Sequence, residues 1–480
     1  MSRFLAIAAA LVASFTSLGA QADTWHRADT HHFTIYSDGD SRTLERFATK
    51  AEMFDALFRE YFGIEAKQQP TKLTVYMLAR SDDVGELADS TNLAGFYRVG
   101  REESFAVSNR ARGTRSTDLT GQTVLFHEYV HHLMANNFTY AYPAWYREGF
   151  AEYFATATFD NDGDWTLGDP ANHRAYSLRN VNIPLERVLF GDTGGMNGAA
   201  TSAYYGRAWL MVHMFANDED LTARLNDYLT KLGTGTPPEE AFATTFGDVD
   251  EMDRALDNYR DGRLSTMRSL EPIGITGTVQ VSRLDDVASD LVEIGLYRRT
   301  GYELDEALSR IRALAAGNPQ RVDVLTELAL LERVHAEQGK SENWGPALAA
   351  ADRALAIDPR NSAMNALKAE LLMESDAPDW TAIRTMLELA ISSDPTTALP
   401  LRLRYESYML ANERPPVEVV NGLFRAFQMR PEDPNLRVSA AYALHNEGLR
   451  DQAIQLVEFL ASDPHSGEFG RRVLEDLRGG

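Results

Sequence analysis

A dipeptide ending in proline recurs at a nearly constant interval through the second half of the chain. The spacings are 40, 36, 36 and 33 residues. Proline cannot continue a helix, and the residue before it is pushed toward an extended conformation. Spacings of this length predict a solenoid of about four or five stacked helix pairs. The dipeptides are Asn318-Pro319, Asp358-Pro359, Asp394-Pro395, Arg430-Pro431 and Asp463-Pro464.

The composition of this half agrees with a helical array. The segment Glu271–Thr278 interrupts the helical periodicity, and beyond it Ala, Leu, Glu and Arg dominate. Segments 347–359 and 451–464 resemble the second helix of a tetratricopeptide repeat, which has a period of 34 residues. The other units match more loosely, and an irregular helical array is the alternative. We assign residues 276–480 to an all-α tetratricopeptide-like repeat domain, a class whose concave surface usually binds peptides or another protein.

The first half contains one short pattern whose spacing suits a metal ion, His127-Glu128-x-x-His131. Residues four apart lie on one face of a helix, so His127 and His131 can direct both imidazoles at one zinc ion while Glu128 projects beside it. The apolar flanks 124–126 and 133–134 predict a mostly buried helix. The alternative is a pair of core histidines bonded to backbone carbonyls.

A hydrolytic zinc site needs a third protein ligand and an open position for water. Sixteen residues separate His131 from Glu148, which lies on a second predicted helix opened by Pro143. This spacing makes Glu148 the natural third ligand. Glu152 follows one turn later on the same face, where a carboxylate can accept the free N–H of a ligating histidine. An exposed helix charge is the alternative for Glu152.

The motif at 127–131, followed by the segment Trp145–Ala151, resembles the gluzincin zinc metallopeptidases, namely the peptidase MA-like families and more distantly the aminopeptidase-N type. The resemblance implies an α+β domain, a small sheet plus helices, over about residues 23–275. It implies Zn²⁺ as cofactor and Glu128 as general base. The Gly-x-Met-Glu-Asn segment that holds a substrate's amino group in aminopeptidase-N relatives is not found before the motif. Exopeptidase activity is therefore not implied.

The same resemblance implies a tyrosine that stabilises the oxyanion, and segment 203–215 offers the candidates. Tyr205 is favoured, because Tyr-x-x-Ala followed by an apolar run resembles the family more closely than the frame that starts at Tyr204. His213 is a further alternative. The remaining alternative is that these aromatic side chains only pack the helix into the core.

Alternating and apolar residues predict strands at 72–78, 95–99 and 104–108, with the last two forming a hairpin. In gluzincins such strands form a small sheet above the zinc, and the edge strand pairs with an extended substrate. The resemblance therefore implies a substrate-binding edge in this part of the chain.

The first 22 residues have the order of a secretory signal peptide: Arg3, an apolar run over 4–12, and Ala20-Gln21-Ala22. We expect cleavage after Ala22 and a periplasmic or secreted protein. No other segment is long and apolar enough to predict a membrane span, so we expect no stable membrane insertion after cleavage. The sequence contains no cysteine, which excludes a disulfide framework.

Cleavage would remove Arg3, the segment's charged side chain, and change the formal net charge from −23 to −24. Such an acidic protein repels nucleic acid and anionic membranes, so neither is expected as a partner. Two functions fit the sequence. The first is an exported zinc peptidase whose repeats recruit a protein substrate or partner. The second is a non-catalytic repeat-based binding or assembly protein with a structural or degenerate zinc site.

Overall fold

The computed structural model describes residues 24–65, 72–90, 93–110, 117–138, 142–191, 193–339, 343–461 and 467–479. The predicted signal peptide and the dipeptide Asp463-Pro464 lie outside these ranges. Within them, every helix is too short or too polar to cross a bilayer.

The described residues contain nine strands in two sheets. They are β1 (His26–Asp29), β2 (Phe33–Ser37), β3 (Leu73–Leu78), β4 (Gly95–Val99), β5 (Ser104–Asn109), β6 (Thr158–Phe159), β7 (Trp165–Leu167), β8 (Met267–Arg268) and β9 (Gln280–Arg283). The larger sheet has the order β4-β5-β3-β2-β1-β9, and the smaller one β6-β7-β8. In the larger sheet β2, β3 and β5 are parallel, and the other neighbours are antiparallel. The predicted strands at 72–78, 95–99 and 104–108 are confirmed as β3 and the hairpin β4–β5.

The helices fall into two groups. The first group is α1 (Ser41–Phe62), α2 (Ser81–Ala88), α3 (Gly121–Asn137), α4 (Ala144–Phe154), α5 (Ala175–Asn180), α6 (Leu185–Phe190), α7 (Gly198–Ala216), α8 (Glu219–Gly233), α9 (Pro238–Phe246) and α10 (Val249–Asp261), with a 3₁₀ turn at Asn172–Arg174. The second group is α11 (Asp286–Thr300), α12 (Leu304–Gly317), α13 (Val322–Glu337), α14 (Gly345–Ile357), α15 (Ser362–Met373), α16 (Trp380–Ser393), α17 (Ala398–Leu410), α18 (Val417–Met429), α19 (Pro434–Asn446), α20 (Arg450–Ala461) and α21 (Gly467–Gly479).

The larger sheet is covered on both faces. All six residues of β3 are buried, which suits a strand between two helical layers. Apolar side chains of α1 and α3 pack on one face of the sheet. On the other face α2 and the first helix of the second group, α11, share a core with β3 and β5. The larger sheet and the start of the helical array therefore share one continuous core.

The sheet extends past the predicted boundary between residues 275 and 276. Strand β9, at Gln280–Arg283, pairs antiparallel with β1, and Leu296 of α11 is buried against the sheet. Three of the four β9 residues are exposed and the fourth is half-buried. Because this strand has no apolar alternation, it has no signature in the sequence pattern.

The second half is a helical repeat solenoid. Five antiparallel helix pairs, from α11/α12 to α19/α20, are followed by α21 among the described residues. The second helix of the first four pairs ends at a residue before proline, with φ between −124° and −140°. These residues have left the helical region because the following proline disfavours it. The predicted period and tetratricopeptide-like pairing are confirmed for this part of the chain.

Candidate metal centre

Two helices supply the predicted ligands. Helix α3 carries His127, Glu128 and His131, and α4, packed beside it, carries Glu148. Next to Glu148, Gly149 allows α4 to approach α7 closely: a Cβ atom at Gly149 would lie 2.3 Å from the backbone oxygen of Ala208. No side chain fits at that distance. The Glu-Gly pair thus combines a carboxylate with the close packing that brings α7 to the site.

The structure brings the three predicted ligand side chains together. The Nε2 atoms of His127 and His131 are 3.2 Å apart. Glu148 Oε2 lies 3.3 Å from His127 Nε2 and 3.6 Å from His131 Nε2. Among the described residues this is the one group of three or more His, Cys, Asp or Glu ligand atoms close enough to hold a metal ion.

The donor set fits zinc. Tetrahedral zinc with bonds of about 2.0–2.1 Å separates its ligand atoms by roughly 3.3–3.4 Å, and the three separations here are close to that value. Two imidazoles and a carboxylate are ligands that zinc prefers in catalytic sites. Glu148 is buried, whereas the side chains of His127 and His131 keep 13% and 11% of their surface exposed. The group therefore has one side open to solvent.

Electrostatics favour positive charge at this position. Burial alone would lower the pKa of His127, but hydrogen bonds to Glu148 and Glu152 raise it to about 10. Burial would raise the pKa of Glu148, but the neighbouring imidazoles of His131 and His127 hold it well below its ordinary value. An ionised, buried carboxylate facing two imidazoles suits a divalent cation.

Glu152 lies behind His127, on the side away from the other ligands. Its Oε1 is 3.3 Å from Nδ1 of His127. Arg174 donates to both oxygens of Glu152, at 2.7 and 3.2 Å, and His173 Nε2 is 3.0 Å from Oε2. Glu152 is 2% exposed, so it is not an exposed helix charge. The carboxylate holds Nδ1 of His127 and leaves Nε2 facing Glu148.

The three predicted oxyanion donors occupy different environments. Tyr205 lies at the site: its ring centre is 6.2 Å from that of His127, and the Arg174 guanidinium is 5.1 Å above it. His213 is buried, with its ring nitrogens 2.8 Å from the Tyr259 hydroxyl and 2.9 Å from the backbone oxygen of Gly168. Tyr204 is buried in the core. Of the three, the geometry brings Tyr205 to the ligand group.

The Glu128 carboxylate is near enough to two tyrosines to influence their pKa values. Burial, followed by the Glu148 carboxylate, raises the pKa of Tyr205, and Glu128 adds to the effect. Burial also raises the pKa of Tyr97 in β4, again with a contribution from Glu128. Both phenols therefore stay protonated and keep a hydrogen to donate.

Sequence reasoning missed His173, Arg174 and Tyr97. The first two belong to the 3₁₀ turn at Asn172–Arg174, and Tyr97 donates to or accepts from His132 Nδ1 at 3.2 Å. None of them stands at a helical or strand spacing from the motif. Their proximity depends on tertiary folding, so no local pattern could have identified them.

Residues 122–239 match a family described as "Protein of unknown function (DUF1570)". This range is about a quarter of the chain and contains the three ligands, Glu128, Glu152 and Tyr205. No curated protein matches the sequence.

Several solved structures of repeat proteins are similar to this chain. A thermophilic TPR protein of Thermus thermophilus is 20% identical, with a TM-score of 0.33 over 40% of this chain and 99% of that one. The protein MamA is 16% identical, with a TM-score of 0.27 over 39% and 98%. The human IFIT1 dimer is 14% identical, with a TM-score of 0.32 over 67% and 69%.

Proposed function

We propose that this protein is an exported zinc-dependent peptidase of the gluzincin kind, acting on a peptide or protein substrate. The observation that carries the proposal is the group formed by His127, His131 and Glu148, with its separations of 3.2, 3.3 and 3.6 Å. The neighbouring carboxylate of Glu128 and the phenol of Tyr205 supply the two further groups that peptide hydrolysis needs.

His127 and His131 through Nε2 and Glu148 through Oε2 would hold the ion. When bound, zinc supplies Lewis acidity at the scissile carbonyl and lowers the pKa of the attacking water. Glu128 accepts the proton of that water at its carboxylate and returns it to the leaving amine. Tyr205 donates a hydrogen bond to the carbonyl oxygen as negative charge develops there.

The proposal is tested on the full-length mature protein and two variants. Zinc per chain is measured by elemental analysis, and hydrolysis is measured on an unfolded protein. We expect close to one zinc per chain and hydrolysis in the wild type. Glu128→Gln should keep the zinc and lose at least about 100-fold in turnover, because the general base acts in the chemical step.

The matched control is Glu186→Gln, which changes an exposed glutamate of α6 and should leave both measurements unchanged. Full activity in Glu128→Gln would contradict the assigned base. N-terminal sequencing of the exported protein tests the localisation separately, with Asp23 expected as the first residue.

A second function is favoured by a specific observation, the helical repeat solenoid of α11 to α21. Stacked helix pairs of this kind usually bind peptides or another protein, so the fold of the second half agrees with a binding or assembly protein. In that case the metal group would be structural or degenerate. One zinc per chain without hydrolysis of any peptide, in the wild type and in Glu128→Gln alike, would favour this second function.

A further inference from the structure

The turn between β4 and β5 contacts the repeat array. This turn, residues 100–103, is called the hairpin tip, and it is closed by a hydrogen bond from the Gly100 amide to the Glu103 carbonyl at 3.1 Å. The tip belongs to the larger sheet. Helix α3, which bears His127 and His131 and is called the metal helix below, packs against this sheet. The side chains and backbone carbonyls of the tip, however, bind residues that lie about 200 to 330 positions later in the chain.

Charged side chains of the tip bind the first helices of three successive pairs. Glu102 lies 3.4 Å from Arg298 of α11 and 3.2 Å from Arg333 of α13. Arg101 forms an ion pair with Glu370 of α15. In each of these three contacts a charge of the tip meets an opposite charge of the array. The first helices of these pairs thus present one common face to the tip.

A buried arginine of the array also holds the backbone of the tip. Arg430, at the end of α18, donates to the carbonyl oxygen of Gly100 at 2.7 Å and to that of Arg101 at 2.9 Å. Ser104, the first residue of β5, donates to Glu432 at 2.8 Å. Arg430 is 1% exposed. Its planar guanidinium group binds two adjacent carbonyl groups, so it fixes the position of the tip backbone in addition to the ion pairs of the tip side chains.

The strand that leads into the tip lies along the metal helix. Strand β4 is the edge of the larger sheet, hydrogen-bonded to β5 on one side. Its Tyr97 hydroxyl is 3.2 Å from Nδ1 of His132, the residue after the predicted ligand His131. At Gly95 a Cβ atom would lie 3.0 Å from Val124 of α3, so the strand and the helix are in close contact there.

We propose that the repeat array positions β4 beside the metal centre, with Glu102 and Arg430 as positioning residues. The inference rests on the proposed function and adds to it that an extended peptide substrate pairs with β4, the edge strand of the larger sheet. An edge strand has a hydrogen-bonded neighbour on one side only, so contacts outside the sheet contribute to its position. Tyr97 is three residue steps, about 10 Å, from the first residue of the tip, which makes the tip the near anchor.

The face formed by the first helices is therefore already engaged within the chain. In a repeat array such a face is the usual binding surface for another molecule. Here its charges are matched to the hairpin tip, and the array acts on the peptide-binding edge rather than recruiting a substrate through this face.

The test compares the full-length wild type with Glu102→Gln, Arg430→Lys and the control Glu447→Gln. Glu447 pairs with the exposed Arg414 at 3.3 Å, so the control removes an array ion pair that is remote from the tip. Hydrogen–deuterium exchange of residues 95–109 is the first readout. We expect exchange in this segment to become roughly threefold or more faster in Glu102→Gln and in Arg430→Lys, here called the tip variants, because the strand loses its anchor. Exchange in the control should match the wild type.

The second readout is kinetic. In Glu102→Gln we expect KM for an extended peptide to rise by about threefold to tenfold while kcat and zinc content stay near the wild-type values, since the strand binds substrate but performs no chemistry. A merely structural role of Glu102 would lower the amount of folded protein without this split.

The outcomes separate this inference from the proposed function. Unchanged exchange in both folded tip variants overturns the inference, whatever the activity. Faster exchange with unchanged KM overturns the link to substrate. If the wild type hydrolyses no peptide and exchange of β4 still accelerates in the tip variants, the proposed function fails while the hold of the array on β4 is supported.

Discussion

The candidate metal centre and the contact between the hairpin tip and the array depend on residues at different separations along the chain. His127, Glu128 and His131 lie within five residues on one helix, and their geometry follows from the pitch of that helix. Glu102 meets Arg333 across 231 residues, and Arg430 meets Gly100 across 330. The arrangement of the three residues on α3 can therefore be recognised from a short motif. The contact between the hairpin tip and the array forms only after the whole chain has folded.

The largest expected effect concerns the three predicted metal ligands. His127→Ala, His131→Ala and Glu148→Ala should each reduce zinc from close to one ion per chain to near zero, because a ligand is lost from a set of three. Elemental analysis after dialysis against a weak chelator provides the measurement. Near-complete zinc in any one of these variants would remove that residue from the ligand set.

Tyr205 joins the site from α7, so it tests whether the local motif depends on a distant helix. Tyr205→Phe should lower turnover by about 100-fold to 1,000-fold with zinc content unchanged, because one donor to the oxyanion is lost. Steady-state kinetics on a short peptide is the measurement. Tyr204→Phe is the matched control, and a larger defect in the control would move the donor to Tyr204.

Arg174 tests the non-local support of the metal centre more directly. Arg174→Gln should weaken zinc binding by about 10-fold to 100-fold, the usual cost of losing a group that orients a ligand, because Glu152 would no longer be held against His127. Competition with a chromophoric chelator measures the affinity. Arg187→Gln, an arginine of α6 whose side chain binds the backbone oxygen of Gly194, is the control. Equal affinities in the two variants would refute the role of Arg174.

The smallest effect concerns the contact with the array. Burial would raise the pKa of Glu102, but Arg298 and Arg333 lower it from 4.5 to about 2. A carboxyl group with a lowered folded-state pKa stabilises the protein above its ordinary pKa, and this stability is lost as pH falls from about 4.5 toward 2. Urea unfolding at pH 5.5 and pH 3 should therefore show a larger loss for wild type than for Glu102→Gln.

We expect the difference between the two losses to be about 1 kcal/mol, because Glu102 is partly exposed and solvent screens its ion pairs. Glu447→Gln should behave as wild type in the same experiment. An identical loss in wild type and Glu102→Gln would show that the tip carboxylate contributes nothing to folding stability.

The sequence predicted what regular spacing determines. The helical pitch brings His127 and His131 together, and proline ends the second helix of each of the first four pairs. The spacing also placed Glu148 on the neighbouring helix. The sequence could not show Arg174 reaching Glu152 or Arg430 reaching the hairpin tip, because such single contacts have no periodicity. Strand β9 was missed for the same reason, since its side chains are mostly exposed.

The pairing of β1 with β9 has a consequence for the order of synthesis. Residues 26–29 emerge early, and their partners at 280–283 follow about 250 residues later. Protein synthesis adds about 5–20 residues per second, so β9 follows β1 after roughly 12–50 s. Until then the outer edge of β1 has no neighbouring strand. An uncovered edge is a template for pairing with other chains. During this interval the edge of β1 in the nascent chain is open to pairing with another chain.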